Sequence, residues 1–318
     1  MTVIKKDDFI NSIASAFQFI SYYHPKDFVD AVYEAWKKES NPSAKNAMGQ
    51  ILVNSRMSAM GHRPICQDTG SAVVFLDIGM NVQWDTDMTV EDMVNEGVRR
   101  AYNNPENPLR ASILVDPIGK RQNSKDNTPA VVHMNVVAGD KVDVICAAKG
   151  GGSENKAKFA MLNPSDSVEE WVLKTVPQMG AGWCPPGILG IGVGGTPEKA
   201  MMLAKRSLME HVDIQDLQAK AESGAELNSV ERLRLNMYEK VNELGVGAQG
   251  LGGDTTVIDV KVLDFPTHAA SKAVAMIPNC AATRHIHFTL DGTGEADMPV
   301  PSLSDWPEVS FGSDDVIR

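Results

Sequence analysis

No apolar run in this sequence goes far before a glycine or proline interrupts it. Segments of that length make short strands and moderate helices, so the core has to be assembled from many small elements. The same punctuation leaves no stretch of about 20 consecutive apolar residues for a bilayer-spanning helix. The N-terminus carries no apolar segment followed by a small-residue cleavage site, and the chain reads as soluble, untargeted and cytoplasmic.

Helical spacing is clearest at the start, where Phe9, Ile10, Ile13, Phe17 and Ile20 recur on one face and Phe28, Val32 and Trp36 repeat the pattern after Pro25. The spacing predicts a third helix over 43–60, closed by Gly61, then the non-periodic HRPICQDTG and the strand-like SAVVFLDIG. Residues 88–102 read as a helix with Asp92 and Glu96 among its early acids. Two β-branched runs, 130–137 and 141–147, flank Gly139-Asp140 and predict a hairpin. Further helices are expected over 167–180, over 197–209 behind Thr196 as N-cap, and in a charged section over 214–244. Strands are expected over 188–193 and in VIDVKVLDF, the latter after the glycine-rich GVGAQGLGGDTT. Residues 1–292 form the main domain in this reading, and the acidic, proline-rich 293–318 a linker or extended arm. Helices and strands do not alternate regularly, which points to a mixed α/β, α+β architecture.

A net charge of -11 and the lack of any Lys/Arg stripe argue against nucleic acid as a partner. The four cysteines, Cys66, Cys184, Cys280 and Cys146, are too few and too scattered for a disulfide framework and fit a reducing compartment. Three of them sit close to proline, in Pro64-Ile65-Cys66, Cys184-Pro185-Pro186 and Pro278-Asn279-Cys280. Proline blocks regular structure, so these thiols are expected on turns with neighbouring N–H groups free to face a ligand. Cys146 alternates within KVDVICAA and reads as a small core residue. Spacings of 118 and 96 residues match no local zinc or ferredoxin pattern, so spacing alone leaves metal ligands and buried structural thiols both open. The run from Gly190 to Thr196 meets the G-x-G-x-x-G spacing at Gly190, Gly192 and Gly195 and has a nucleotide-binding reading. It lacks the Gly-Lys-Ser/Thr ending and the acidic strand end that such sites need.

The blocks RPICQDTG, NPLRAS, KDNTPAVVH, AAKGGGSENK, GWCPPGILGIGVGGT, LGVGAQGLGGDTTV, FPTHAASKAVAMIPNCAATRH and HFTLDG span residues 63–292. Together they resemble the N-terminal, or alpha, portion of class I, iron-sulfur-dependent fumarate hydratases. The resemblance implies a two-lobed, helix-rich fold with small sheets, and reversible hydration of fumarate to malate in the tricarboxylic acid cycle. It implies an oxygen-sensitive 4Fe-4S cluster held by Cys66, Cys184 and Cys280, whose one iron without a thiolate is a Lewis acid.

The resemblance also implies proton transfer by Asp68 and His268, and substrate contacts from Gln67, Asp68, Arg110 and the glycine run ending at Gly152. Arg110 suits a dicarboxylate because its planar fork binds a carboxylate bidentately, although a surface salt bridge would equally employ it. Asp-Thr-Gly also makes a simple turn. His24, His62, His133, His211, His285 and His287 are read as structural or solvated. Members of the family carry a C-terminal, or beta, portion as a domain or subunit, which implies such a partner for efficient turnover, and they commonly form homodimers. Two other readings stand beside this one: an L-tartrate dehydratase alpha subunit, and a non-catalytic iron-sulfur or zinc-binding regulatory protein. Gln67, Asp68, Arg110 and His268 occurring together weigh against the second.

Overall fold

The computed structural model describes residues 2–309. Its elements run β1 (Thr2–Ile4), α1 (Lys6–Tyr22), α2 (Lys26–Lys38), α3 (Pro42–Gly61), β2 (Ser71–Gly79), β3 (Val82–Trp84), α4 (Val90–Tyr102), β4 (Leu114–Val115) and β5 (Gln122–Asn123). They continue with β6 (Val131–Val137), β7 (Val142–Lys149), α5 (Gly151–Glu154), β8 (Lys158–Leu162), α6 (Val168–Met179), β9 (Gly187–Gly194) and α7 (Pro197–Ser207). The last are α8 (Ile214–Glu222), α9 (Ser229–Glu243), β10 (Val257–Phe265), β11 (Lys272–Asn279) and β12 (His285–Leu290). This is an α+β fold, and it divides into two units built from interleaved segments. No helix among the described residues is long and apolar enough to cross a membrane.

The first unit comprises the chain up to Pro25, Ser55–Gly151 and Arg284–Asp305. Its sheet has the order β12-β7-β2-β6. Phe9, Ile10, Ile13, Phe17 and Ile20 are all buried, as their spacing on α1 requires. Helix α4 starts behind Thr89, whose hydroxyl accepts from Asp92 N at 3.1 Å, and its acids and bases lie at the ends that suit the helix dipole. Gly97 lets α4 lie against α1: a Cβ there would come within 2.6 Å of Ile13 Cγ2. Both β-branched runs are strands, yet they do not form the expected hairpin. Strand β2 lies between them, parallel to β6 and antiparallel to β7. Its largely buried apolar side chains claim the centre of the sheet, and its end fills the gap that a hairpin would close. There Gly79 N donates to Lys141 O at 2.9 Å and Met80 N to Val137 O at 2.8 Å.

The second unit comprises Lys26–Asn54 and Gly152–Thr283, with residues 306–309. Its sheet has the order β10-β9-β11-β8. The glycines suspected of a nucleotide turn serve packing instead. A Cβ on Gly190 would lie 2.3 Å from Ala204 O, and one on Gly192 would lie 2.0 Å from Ala200 O, so both let α7 press onto β9. The charged section over 214–244 is two helices, interrupted at Gly224 with φ +78°. Helix α9 restarts with a reciprocal cap between Asn228 and Glu231, both bonds at 2.9 Å.

Candidate active site

In the first unit, the loop after α3 carries Cys66, Gln67 and Asp68. Its entry is pinned where Ile65 N donates to Ser21 O at 2.9 Å, with Ile65 buried. Asp68 is held on three sides. Oδ1 accepts from Gly70 N at 3.0 Å, Oδ2 accepts from Gly151 N at 2.7 Å, and Arg284 Nη1 donates to the Asp68 carbonyl at 2.7 Å. Each carboxylate oxygen keeps a lone pair for a further donor. The glycine run is needed for this approach. A Cβ on Gly150 would stand 3.3 Å from Asp68 Oδ2, and one on Gly70, with φ +78°, would lie 2.8 Å from the Lys149 backbone.

Arg110 reaches the same loop through its backbone, since Thr69 Oγ1 donates to Arg110 O. Asn127 Nδ2 and Tyr102 OH fasten the loop further, donating to Gly70 O at 2.9 Å and Thr69 O at 3.1 Å. Burial pushes the Tyr102 phenol up to about 12, so it remains a donor. The Arg110 side chain is exposed and has no carboxylate partner among the described residues, so it is not tied up in a surface salt bridge. Gln67 is exposed beside Asp68. Arg284 was not singled out from the sequence. It is 2% exposed, and its role follows from a contact 216 residues away in the chain.

In the second unit, Cys184 and Cys280 share one end of the sheet. Asn279 at the end of β11 pairs with Ile188 near the start of β9. Ala281 N, next to Cys280, donates to Cys184 O at 3.0 Å. Cys184 is exposed with φ +55°, and Cys280 is half-buried. The glycine-rich loop buttresses this corner, with Gln249 N and Nε2 both donating to Pro185 O at 2.7 Å. Its far end is gripped by Glu39, 3% exposed, whose carboxylate accepts from the N–H groups of Asn41 and Asp254 at 3.0 Å and Thr255 at 3.1 Å. Glu39→Ala should lower unfolding stability by about 3 kcal/mol in urea titration, because it removes the acceptor of one buried and two part-buried N–H donors; a loss below about 1 kcal/mol would mean that water satisfies them. Gly152 also belongs to this unit, where a Cβ would come 3.1 Å from Gly182 O.

His268 is not brought to this corner. It precedes β11 whereas Cys280 follows it, so the eight-residue strand, roughly 25 Å long, separates the two within this unit. His268 is exposed, its Nδ1 accepts from Ala270 N at 3.1 Å, and it lines a cavity of about 550 Å³ with Thr196, Lys199, Phe265 and Ser271. Nothing in the local sequence distinguishes one end of a strand from the other.

None of the four cysteines is in a disulfide. Cys146 is buried in β7, and burial pushes its thiol far up, so it stays protonated and unfit as a ligand. The other three lie in loops and are at least partly reachable, which fits a group bound by thiolates. Among the described residues no three His, Cys, Asp or Glu side chains converge as a single ion would need.

The model of the fumarate hydratase (Fumerase) family matches residues 10–289. The chain belongs to this family. A Methanocaldococcus jannaschii protein, provisionally named L(+)-tartrate dehydratase subunit alpha, is 35% identical over 280 residues, covering 86% of this chain and 94% of the relative. The anaerobic class I fumarate hydratase of Escherichia coli is 30% identical over 261 residues, covering 80% of this chain and 46% of the relative. The L(+)-tartrate dehydratase subunit alpha of Escherichia coli is 25% identical over 284 residues, or 87% of its length. The chain thus spans about half the length of the fumarate hydratases it matches and most of the length of the tartrate dehydratase alpha subunits. Membership of this family makes it a hydro-lyase family protein.

Proposed function

We propose that the chain is the cluster-binding part of a hydro-lyase that adds water reversibly across fumarate to give (S)-malate. The observation that carries this reading is the Asp68 loop: a carboxylate oriented by Gly70 and Gly151 N–H groups, on a loop fastened to the segment whose exposed Arg110 has no carboxylate partner. In this reading Asp68 carries a proton to and from the oxygen that becomes the malate hydroxyl. The Arg110 fork binds a substrate carboxylate, and Gln67 and Gly152 hold the rest of the dicarboxylate. Cys66, Cys184 and Cys280 hold a 4Fe-4S cluster, which supplies a Lewis acid to help a poor leaving group depart. A part for His268 at the Cys184–Cys280 corner would have to come from a second copy of the chain, since β11 holds its own His268 away. The complementary C-terminal, or beta, portion completes the site, and the oxygen-sensitive cluster suits a reducing cytoplasm.

A second reading, an L-tartrate dehydratase alpha subunit, is favoured by the Methanocaldococcus jannaschii relative matched over nearly its full length. The two separate in one assay of the anaerobically reconstituted chain, combined with its complementary portion, on fumarate, malate and L-tartrate. Fumarate and malate should be preferred by roughly a hundredfold in kcat/KM, about the discrimination a site achieves against an analogue that adds one hydroxyl. The reverse preference would transfer the assignment to tartrate, and turnover of none of them would overturn both.

A further inference from the structure

Strand β6 is the outer strand of the first unit's sheet, and its substantial contacts are with β2 alone. Edge strands are normally guarded by charge or proline against pairing with another chain. The edges of the second unit's sheet follow that rule, with Lys158 on β8 and the exposed Asp264 on β10. Strand β6 has neither, and its apolar side chains stand in solvent: Val131 is 51% exposed, Met134 49%, Val136 74% and Val137 37%. Met80, 73% exposed, continues the patch, because its N–H donates to Val137 O.

The strand also reads nearly the same in both directions, Val-Val-His-Met-Asn-Val-Val. Antiparallel pairing with itself, centred on Met134, would set Val131 against Val137, Val132 against Val136, and His133 against Asn135. The last pair joins an imidazole to an amide, each able to donate and accept. Both side chains are held in place, His133 stacked on Phe75 at 4.8 Å and Asn135 donating to Asp77 Oδ1 at 2.8 Å. With each copy carrying a charge of -11, an uncharged strip is where two copies can approach without direct repulsion. A two-fold axis makes any such contact occur twice, so self-complementarity is the property required.

The geometry points to β6 as a dimerisation strand, which joins two copies of this chain antiparallel about Met134 into one continuous eight-stranded sheet. The inference does not depend on the reaction proposed above. It is tested on the purified chain by sedimentation velocity and by disulfide trapping. The wild type should be a dimer at micromolar concentration, and Met134→Glu, which sets two carboxylates face to face at the axis, should weaken the dimer by at least about a hundredfold.

Met134→Cys should crosslink to itself on mild oxidation, because directly opposed residues stand about 4.5–5.5 Å apart, within disulfide reach. Peptide mapping then locates the bond at position 134, apart from any formed by the native cysteines. Val131→Cys should not crosslink alone, its copies being about 20 Å apart, but should crosslink when mixed with Val137→Cys. A wild type that stays monomeric at all concentrations overturns the inference. So does a dimer indifferent to Met134→Glu, or a failure of the bond at 134. Should Met134→Glu unfold, the trapping pattern alone decides.

Discussion

Serine at position 66, 184 or 280 should remove the iron from anaerobically reconstituted protein, whereas Cys146→Ser should leave it in place. About four irons and four sulfides per chain are expected in the wild type, falling well below half in the first three variants. The contrast rests on where the thiols lie. Cys184 and Cys280 occupy loops at one end of the second sheet, joined by the bond from Ala281 N to Cys184 O at 3.0 Å. Cys66 lies in the pinned loop before β2, and Cys146 is sealed in β7. A thiolate is needed to bind iron, and burial keeps Cys146 protonated. Circular dichroism and urea midpoints should show Cys184→Ser and Cys280→Ser folded, since both side chains lie outside the packed strands. Iron retained in all three variants, or lost equally in Cys146→Ser, would sink the ligand assignment whatever the activity.

The second large effect is expected at Asp68. Asp68→Asn should lower kcat by about 10²- to 10⁴-fold, the usual contribution of a positioned proton-transfer group, with iron content retained. The amide keeps one acceptor oxygen but turns its NH₂ toward either Gly70 N–H or Gly151 N–H, setting donor against donor and leaving that N–H without an acceptor. That mismatch should cost about 1–3 kcal/mol of stability, so the rate must be compared at a temperature where the variant is fully folded. A residue that only shaped the loop would change KM and stability without flattening the pH profile of kcat. A variant that turns over within about threefold of wild type, with an unchanged pH profile, would remove Asp68 from proton transfer.

Much of the secondary structure was legible because it is encoded locally. Helix α1 follows from apolar residues every three or four positions, and α3 ends at Gly61 as its sequence suggests. Strands β9 and β10 follow from short apolar, β-branched runs. The strand character of Cys146 likewise separated it from the other cysteines. Partnership was less legible. The β-branched runs say that 130–137 and 141–147 are strands, and Gly139-Asp140 favours a turn, but neither reveals that β2 takes the place between them.

The site divides in the same way. The sequence by itself picked out the candidate side chains: three thiols close to prolines, a carboxylate after the first of them, and an arginine after a turn-rich segment. Only the tertiary structure decided what each of them meets. Asp68 is oriented by Gly151, 83 residues away, and by Arg284, 216 residues away. Cys184 and Cys280 become neighbours through antiparallel β9 and β11, and the same strand carries His268 to the opposite end. Local patterns report backbone periodicity and burial, which neighbouring residues establish together. Which distant segments meet depends on how all the apolar faces share one interior, and that competition has no signature in any single stretch of chain.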